Sequence, residues 1–195
     1  MAERSIFGSS VVPFRVVFFM WLAFFIELVY AWDLTNLGIQ PRTLVGLIGI
    51  FTAPLIHGNL PHLISNTVPL LFLGSTLFFF YPRIGGAVFF RAYFWTNILV
   101  WLFARPANHM GASGVVYGLA FFLIFFGLFR RDFLSIIISI ITLLLYGGVF
   151  FGVLPTDPSI SWESHFAGAL VGITSAVTFS VKKRIDWWML LWRKF

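Results

Sequence analysis

The chain reads as an all-α membrane protein of six transmembrane helices, and three observations predict it. Of 195 residues 59% are hydrophobic and only 10% charged, and 26 are Phe and 8 Trp, giving a mean hydropathy of +0.94. A soluble domain of this length cannot hide so much apolar surface, whereas lipid accepts it once the backbone is satisfied inside helices. The apolar residues also gather into six runs near the length of roughly 20 residues that crosses a bilayer, and the basic residues collect at alternate ends of those runs.

The spans are placed at residues 13–30, 62–80, 87–104, 113–129, 133–151 and 163–181. The first run is longer than the apolar part of a secretory signal, and no small-x-small site follows, so it is expected to stay attached. The connection 31–61 holds an apolar stretch, 43–56, that is too short to cross and is broken by Gly46, Gly49 and Pro54. Such a stretch is expected to dip into or lie on the outer leaflet. Arg91 lies inside span three near its inner end, where it can snorkel. Span six repeats Ser164, Gly168, Gly172 and Ala176 at intervals of four, a narrow groove that lets another backbone approach. The tail 186–195 is too short to cross and mixes three Trp with two cations near its end, so it is expected to lie in the inner interface. No repeat, linker or low-complexity tract divides the chain, and residues 1–195 read as a single domain.

Orientation follows from charge. With the amino terminus inside, Arg4, Arg15, Arg83, Arg91, Arg130, Arg131, Lys182, Lys183, Arg184, Arg193 and Lys194 are cytoplasmic, and only Arg42 and Arg105 are outside. Both termini are then cytoplasmic. The net charge of +6 reads as topology and attraction to anionic lipid, with no nucleic-acid partner, because no basic face accompanies a soluble fold. The absence of Cys removes thiolate chemistry and disulfides. No cofactor or metal is expected: His57 and His62 are five apart, no carboxylate joins them at ligand spacing, and an HExxH helix is missing.

The polar residues then fall at one depth. Spans two, four and six run inward, so His62, Ser113 and His165 open their helices on the outer side, where His57 and His109 also lie. Gly168, Ala169 and Gly172 stand at i+3, i+4 and i+7 from His165, putting the imidazole on the close-packing face. Gly111, Ala112, Gly114 and Gly118 leave little bulk around Ser113, so the two helices have matching surfaces. A serine hydroxyl becomes a nucleophile when a neighbouring imidazole takes its proton, and the oxyanion formed on attack needs fixed donors. His62 and Asn66, at i and i+4 on span two, and the Ser113 amide are candidates. The same spacings also suit a small-residue packing seam and an interhelical hydrogen-bonding pair, and spacing alone leaves those readings open.

At His62-Leu-Ile-Ser-Asn66, Gly111-Ala-Ser113-Gly114 and His165-Phe-Ala-Gly168, in that order on spans two, four and six, the chain resembles the rhomboid family of bacterial intramembrane serine proteases. The resemblance covers residues 54–181. It implies Ser113 as nucleophile, His165 as general base in a dyad without an acid, and His62, Asn66 and the Ser113 amide as oxyanion donors. It also implies Tyr117, one turn below Ser113, packing on the imidazole, with Gly111, Gly114 and Gly168 in supporting roles. Transmembrane protein substrates in the lipid of a bacterial inner membrane follow from it, as does a movable cap, residues 152–162 with Pro155 and Pro158. Three features depart from the family's better-known bacterial pattern. The first outer connection has no Trp-Arg pair, Ser164 stands where Ala is usual, and no soluble amino-terminal domain is expected before span one. Asp157 and Glu163 are the acids nearest His165 in sequence. The rival readings are a proteolytically inactive relative that binds membrane clients, and a transporter, for which paired halves and buried charges are missing.

Overall fold

The computed structural model describes residues 5–157 and 159–192, with side chains as far as Val181. The first helix, α1 (Ile6–Tyr30), starts seven residues before the predicted span. Ser5 caps it by accepting from the Gly8 amide at 2.9 Å, and Pro13 is accommodated inside it. Pro13 is buried where α1 crosses α3 (Leu60–Phe80): a Cβ on Gly74 would stand 2.7 Å from the Pro13 Cβ. Trp21 Nε1 donates to Thr67 Oγ1 at 3.0 Å, and Ser75 Oγ to Ser10 Oγ at 2.9 Å, across the same contact.

The connection between α1 and α3 folds into a 3-10 turn at Thr35–Leu37, helix α2 (Gly46–Thr52) and a second 3-10 turn at Ala53–Leu55. Seven residues rise only about 10 Å, so α2 cannot cross a bilayer. Ile48 and Phe51 on it, and Leu44 just before it, are exposed. The connection is moored on α4 (Pro82–Phe103) without a Trp-Arg pair of its own. Arg42, at φ 60°, donates its amide to the Trp101 carbonyl at 3.0 Å and its guanidinium to the carbonyls of Leu102 and Ala104 at 3.2 and 2.8 Å. These are carbonyls that the end of a helix leaves without partners, at its negative pole. Trp101 Nε1 donates back to the Thr43 carbonyl at 3.0 Å, Tyr93 Oη to that of Phe51 at 2.6 Å, and Asn97 Nδ2 to that of Ile50 at 3.0 Å. Arg91, further down α4, lays its guanidinium over the Phe179 ring, 5.0 Å from the centroid.

Helix α5 (Ser113–Arg130) is the centre of the bundle, with 67% of its apolar window buried against 17% for α1. On one side lies α8 (Trp162–Trp192), on the other α6 (Phe133–Tyr146). Among the described residues five helices, α1, α3, α4, α5 and α8, are long and apolar enough to cross a membrane, so the protein is an integral, all-helical membrane protein. Span five differs from expectation. The run breaks at Gly147 and Gly148, leaving α6 with 14 residues and a one-turn helix, α7 (Val149–Gly152). Two adjacent glycines weaken a helix that tertiary contacts do not support there. Helix α8 continues past residue 181 to Trp192 with no separate tail helix. The side chains on which the interfacial reading of 186–195 rests lie outside the described residues, as does Pro158.

Candidate active site

The predicted site residues are assembled by three helix starts. Asn59 caps α3, its side-chain oxygen accepting from the His62 amide at 2.8 Å, with Pro61 in the first turn. This fixes His62 one turn above Asn66. Helix α5 begins at Ser113 after Gly111, whose φ of 105° is reserved for glycine; a Cβ there would also stand 2.7 Å from the His62 ring. No side chain caps α5, so its first-turn amides stay available at the positive end of the helix. His165 lies in the first turn of α8.

The α5–α8 contact brings Ser113 and His165 onto one cavity. Gly114, Gly118, Gly168 and Gly172 let the backbones touch: a Cβ on Gly168 would stand 3.1 Å from the Gly118 nitrogen, and one on Gly172 would stand 2.9 Å from that of Phe122. The cavity has a volume of 690 Å³ and is lined by Ser113, His165, His62, Asn66 and Tyr117 together with residues of the flanking loops. The His165 ring is stacked on Tyr117, centroids 4.0 Å apart and planes 6° from parallel. Its Nδ1 lies 2.8 Å from the Gly152 carbonyl. A carbonyl only accepts, so Nδ1 carries the proton and Nε2 of the neutral ring keeps its lone pair. Asn66 is buried and gives one N–H to the His62 carbonyl at 2.8 Å, which leaves its second N–H uncommitted.

The two nearby acids are engaged elsewhere. Glu163 Oε1 meets Arg105 Nε at 3.4 Å, and Asp157 Oδ1 accepts from the amide and hydroxyl of Ser159 at 2.8 and 2.6 Å. Among the described residues no three His, Cys, Asp or Glu side chains converge as a metal site would require.

Sequence reasoning missed two members of this arrangement. Gly152 carried no signal: its role lies in a carbonyl, and its lack of a side chain makes room for the Tyr117 ring, which a Cβ would meet at the Cζ atom at 2.9 Å. For His57 the sequence offers only its outer-side depth and a spacing of five from His62, which two residues on one helical face would not have. That rule does not apply, because His57 precedes the helix. Its ring stands 5.0 Å from that of His62, edge to face, and its Nε2 accepts from the Ala112 amide at 3.4 Å while Nδ1 faces the Leu55 carbonyl at 3.4 Å. The ring is 1% exposed, and burial with His62 alongside pushes its pKa down to about 4. A neutral His57 therefore supports the loop that delivers Ser113.

Comparison with known proteins identifies the family. A Rhomboid domain matches residues 45–182. Uncharacterized proteins of Mycobacterium tuberculosis and Mycobacterium bovis are 34% identical to the chain, over 75% of its length and 65% of theirs. An uncharacterized protein of Mycobacterium leprae is 33% identical over 87% of this chain and 72% of its own length. The chain thus spans 65% of the first two relatives. With the domain matched across all the elements that build the cavity, the chain belongs to the rhomboid family of membrane proteins.

Proposed function

We propose that the protein is an intramembrane serine endopeptidase that hydrolyses peptide bonds in or near the transmembrane helices of other membrane proteins. The observation that carries this reading is a buried histidine that shares one cavity with Ser113, whose Nδ1 proton is committed to a backbone carbonyl and whose ring is stacked in place. A base needs that tautomer, and the Gly152 carbonyl does the orienting that a carboxylate does in a triad.

In the first half-reaction Nε2 of His165 takes the hydroxyl proton as Ser113 Oγ bonds to the scissile carbonyl carbon. The developing oxyanion is held by the Ser113 amide at the uncapped start of α5, by the free N–H of Asn66 and by His62. Collapse breaks the C–N bond, and the imidazolium gives its proton to the departing amine. A water then attacks the acyl-Ser113 ester, its proton passing to His165, and the imidazolium returns that proton to Ser113 Oγ as the ester C–O bond breaks and the carboxyl product leaves. Water reaches the site through the polar loop side of the cavity, where Asn108, Ser159 and Ser161 lie. The basic residues support an inner-membrane protein with both termini cytoplasmic, so that this side opens outward. The substrate helix enters between α3 and α6, whose residues Phe72 and Tyr146 meet ring to ring with centroids 5.8 Å apart.

Fluorophosphonate labelling of the detergent-purified protein, with cleavage of a transmembrane test substrate, tests the assignment. Wild type is expected to label and cleave, and Ser113→Ala and His165→Ala to do neither while remaining folded. A folded wild type that neither labels nor cleaves would instead support an inactive relative that binds membrane clients.

A further inference from the structure

One histidine that lines the cavity takes no chemical step in this mechanism. His109 lies in the loop before Ser113 and is 2% exposed. Its backbone pairs with Ile39 in both directions, at 2.8 and 2.9 Å, so the loop's position is set by the first outer connection. Its ring points toward α8. Nε2 is 3.0 Å from the Arg105 carbonyl and Nδ1 is 2.6 Å from Ser161 Oγ, which is 2.7 Å from Ser164 Oγ and accepts from the Ser164 amide at 3.4 Å. Ser161 immediately precedes α8, and its carbonyl accepts from the His165 amide at 3.3 Å.

The chemistry of the groups orders this chain. The Arg105 carbonyl only accepts, so Nε2 donates, and in a neutral ring Nδ1 must accept from the Ser161 hydroxyl. The oxygen of Ser161 is then free to accept from the hydroxyl and amide of Ser164, as a capping side chain does at a helix start. Each donor polarises the next, so the links strengthen one another. The result joins the loop that delivers Ser113 to the first turn of the helix that carries His165. Ser164, a position where alanine is usual in the resemblance described above, is the link that an alanine would remove.

We propose that His109 is a positioning residue for the base: through Ser161 and Ser164 it fixes the start of α8, and with it His165, relative to Ser113. This rests on the protease reading. A displacement of the dyad by a fraction of an ångström slows chemistry without altering the groove that binds the substrate helix, so the loss belongs in kcat and not in KM.

The test is the steady-state cleavage of a transmembrane substrate by wild type, His109→Ala, His109→Asn, Ser161→Ala and the double variant His109→Ala/Ser161→Ala, with thermal unfolding of each. His109→Ala and Ser161→Ala are expected to lower kcat about tenfold, with KM within about twofold of wild type. The double variant should be no slower than the worse single one, because both remove the same link. His109→Asn, which can place an oxygen near Nδ1, should recover most of kcat. Single variants with wild-type kcat, or losses that add in the double variant and follow the unfolding temperature, would overturn the proposal and leave the protease reading standing. A wild type that neither labels nor cleaves overturns that reading, and the positioning role with it.

Discussion

Helix α5 has two neighbours held in opposite ways. Against α8 it packs backbone to backbone, through Gly114, Gly118, Gly168 and Gly172, and the Tyr117 and His165 rings stack beside that seam. Against α6 the close approach is confined to the inner half, where Gly127 lies against Ser135 and Ser139, and Ser139 Oγ donates to the Ile124 carbonyl at 2.5 Å. Toward the cavity α6 ends at the Gly147–Gly148 break, and Ile140, Ile141, Leu144 and Leu145 face outward. A contact that holds a nucleophile and its base must be stiff, and glycine backbones meeting directly have few alternative arrangements. A helix fastened at one end can shift at the other. On the proposed reading the dyad lies on this rigid side and substrate entry on the yielding one, while the Gly152 carbonyl beyond the break ties that end to His165.

The most severe way to break the comparison is Gly168→Leu. The helices must separate to admit the side chain, at a cost of about 3 kcal/mol or more. The expected outcome is loss of cleavage together with a lower unfolding temperature, and a folded, active variant would show the seam to be less stiff than its geometry indicates.

Next in size is a pH effect on the rigid side. The folded value of His57 is depressed from 6.5 to about 4, so on acidification the unfolded chain takes up the proton first. The contribution of neutral His57 is fully present above about pH 6.5 and is lost as pH falls toward 4, amounting to about 3 kcal/mol at most. Thermal unfolding between pH 7 and 4.5 should show the wild type losing stability faster than His57→Gln, which can keep an acceptor for the Ala112 amide without titrating. Parallel curves would exclude His57 as the cause.

The smallest effect belongs to the yielding side. Ser139→Ala removes one interhelical hydrogen bond, worth about 0.6 kcal/mol in a membrane, and should lower the unfolding temperature slightly while leaving kcat unchanged. A fall in kcat comparable to that of the His109 variants would mean that α6 shares the stiffness of α8.

Much of the helix plan was legible because membrane insertion is governed by terms local in sequence: apolar length, charge at the ends and glycine spacing. The runs that became α3, α4, α5 and α8 announce themselves this way, and the intervals of Gly168 and Gly172 mark the seam on which α8 packs. The break at Gly147 and Gly148 was less legible, since glycine pairs persist inside many apolar helices and only missing support from neighbours ends this one. Within the site, Ser113, His165, His62 and Asn66 stood out as polar groups at membrane depth, where such groups are costly.

By itself the sequence determined an all-helical membrane protein, the faces its helices present and the depth at which its polar residues gather, because hydrophobicity and helical period act over a few neighbouring residues. Only the tertiary structure decided which carbonyl orients His165, that His57 supports the loop before Ser113, that Arg42 and Trp101 moor the first outer connection, and that His109 reaches Ser161. Each of these depends on a backbone group or a side chain brought across 13 to 62 residues. A hydrogen bond at that separation is set by the packing of whole helices, and no periodicity in the chain encodes it.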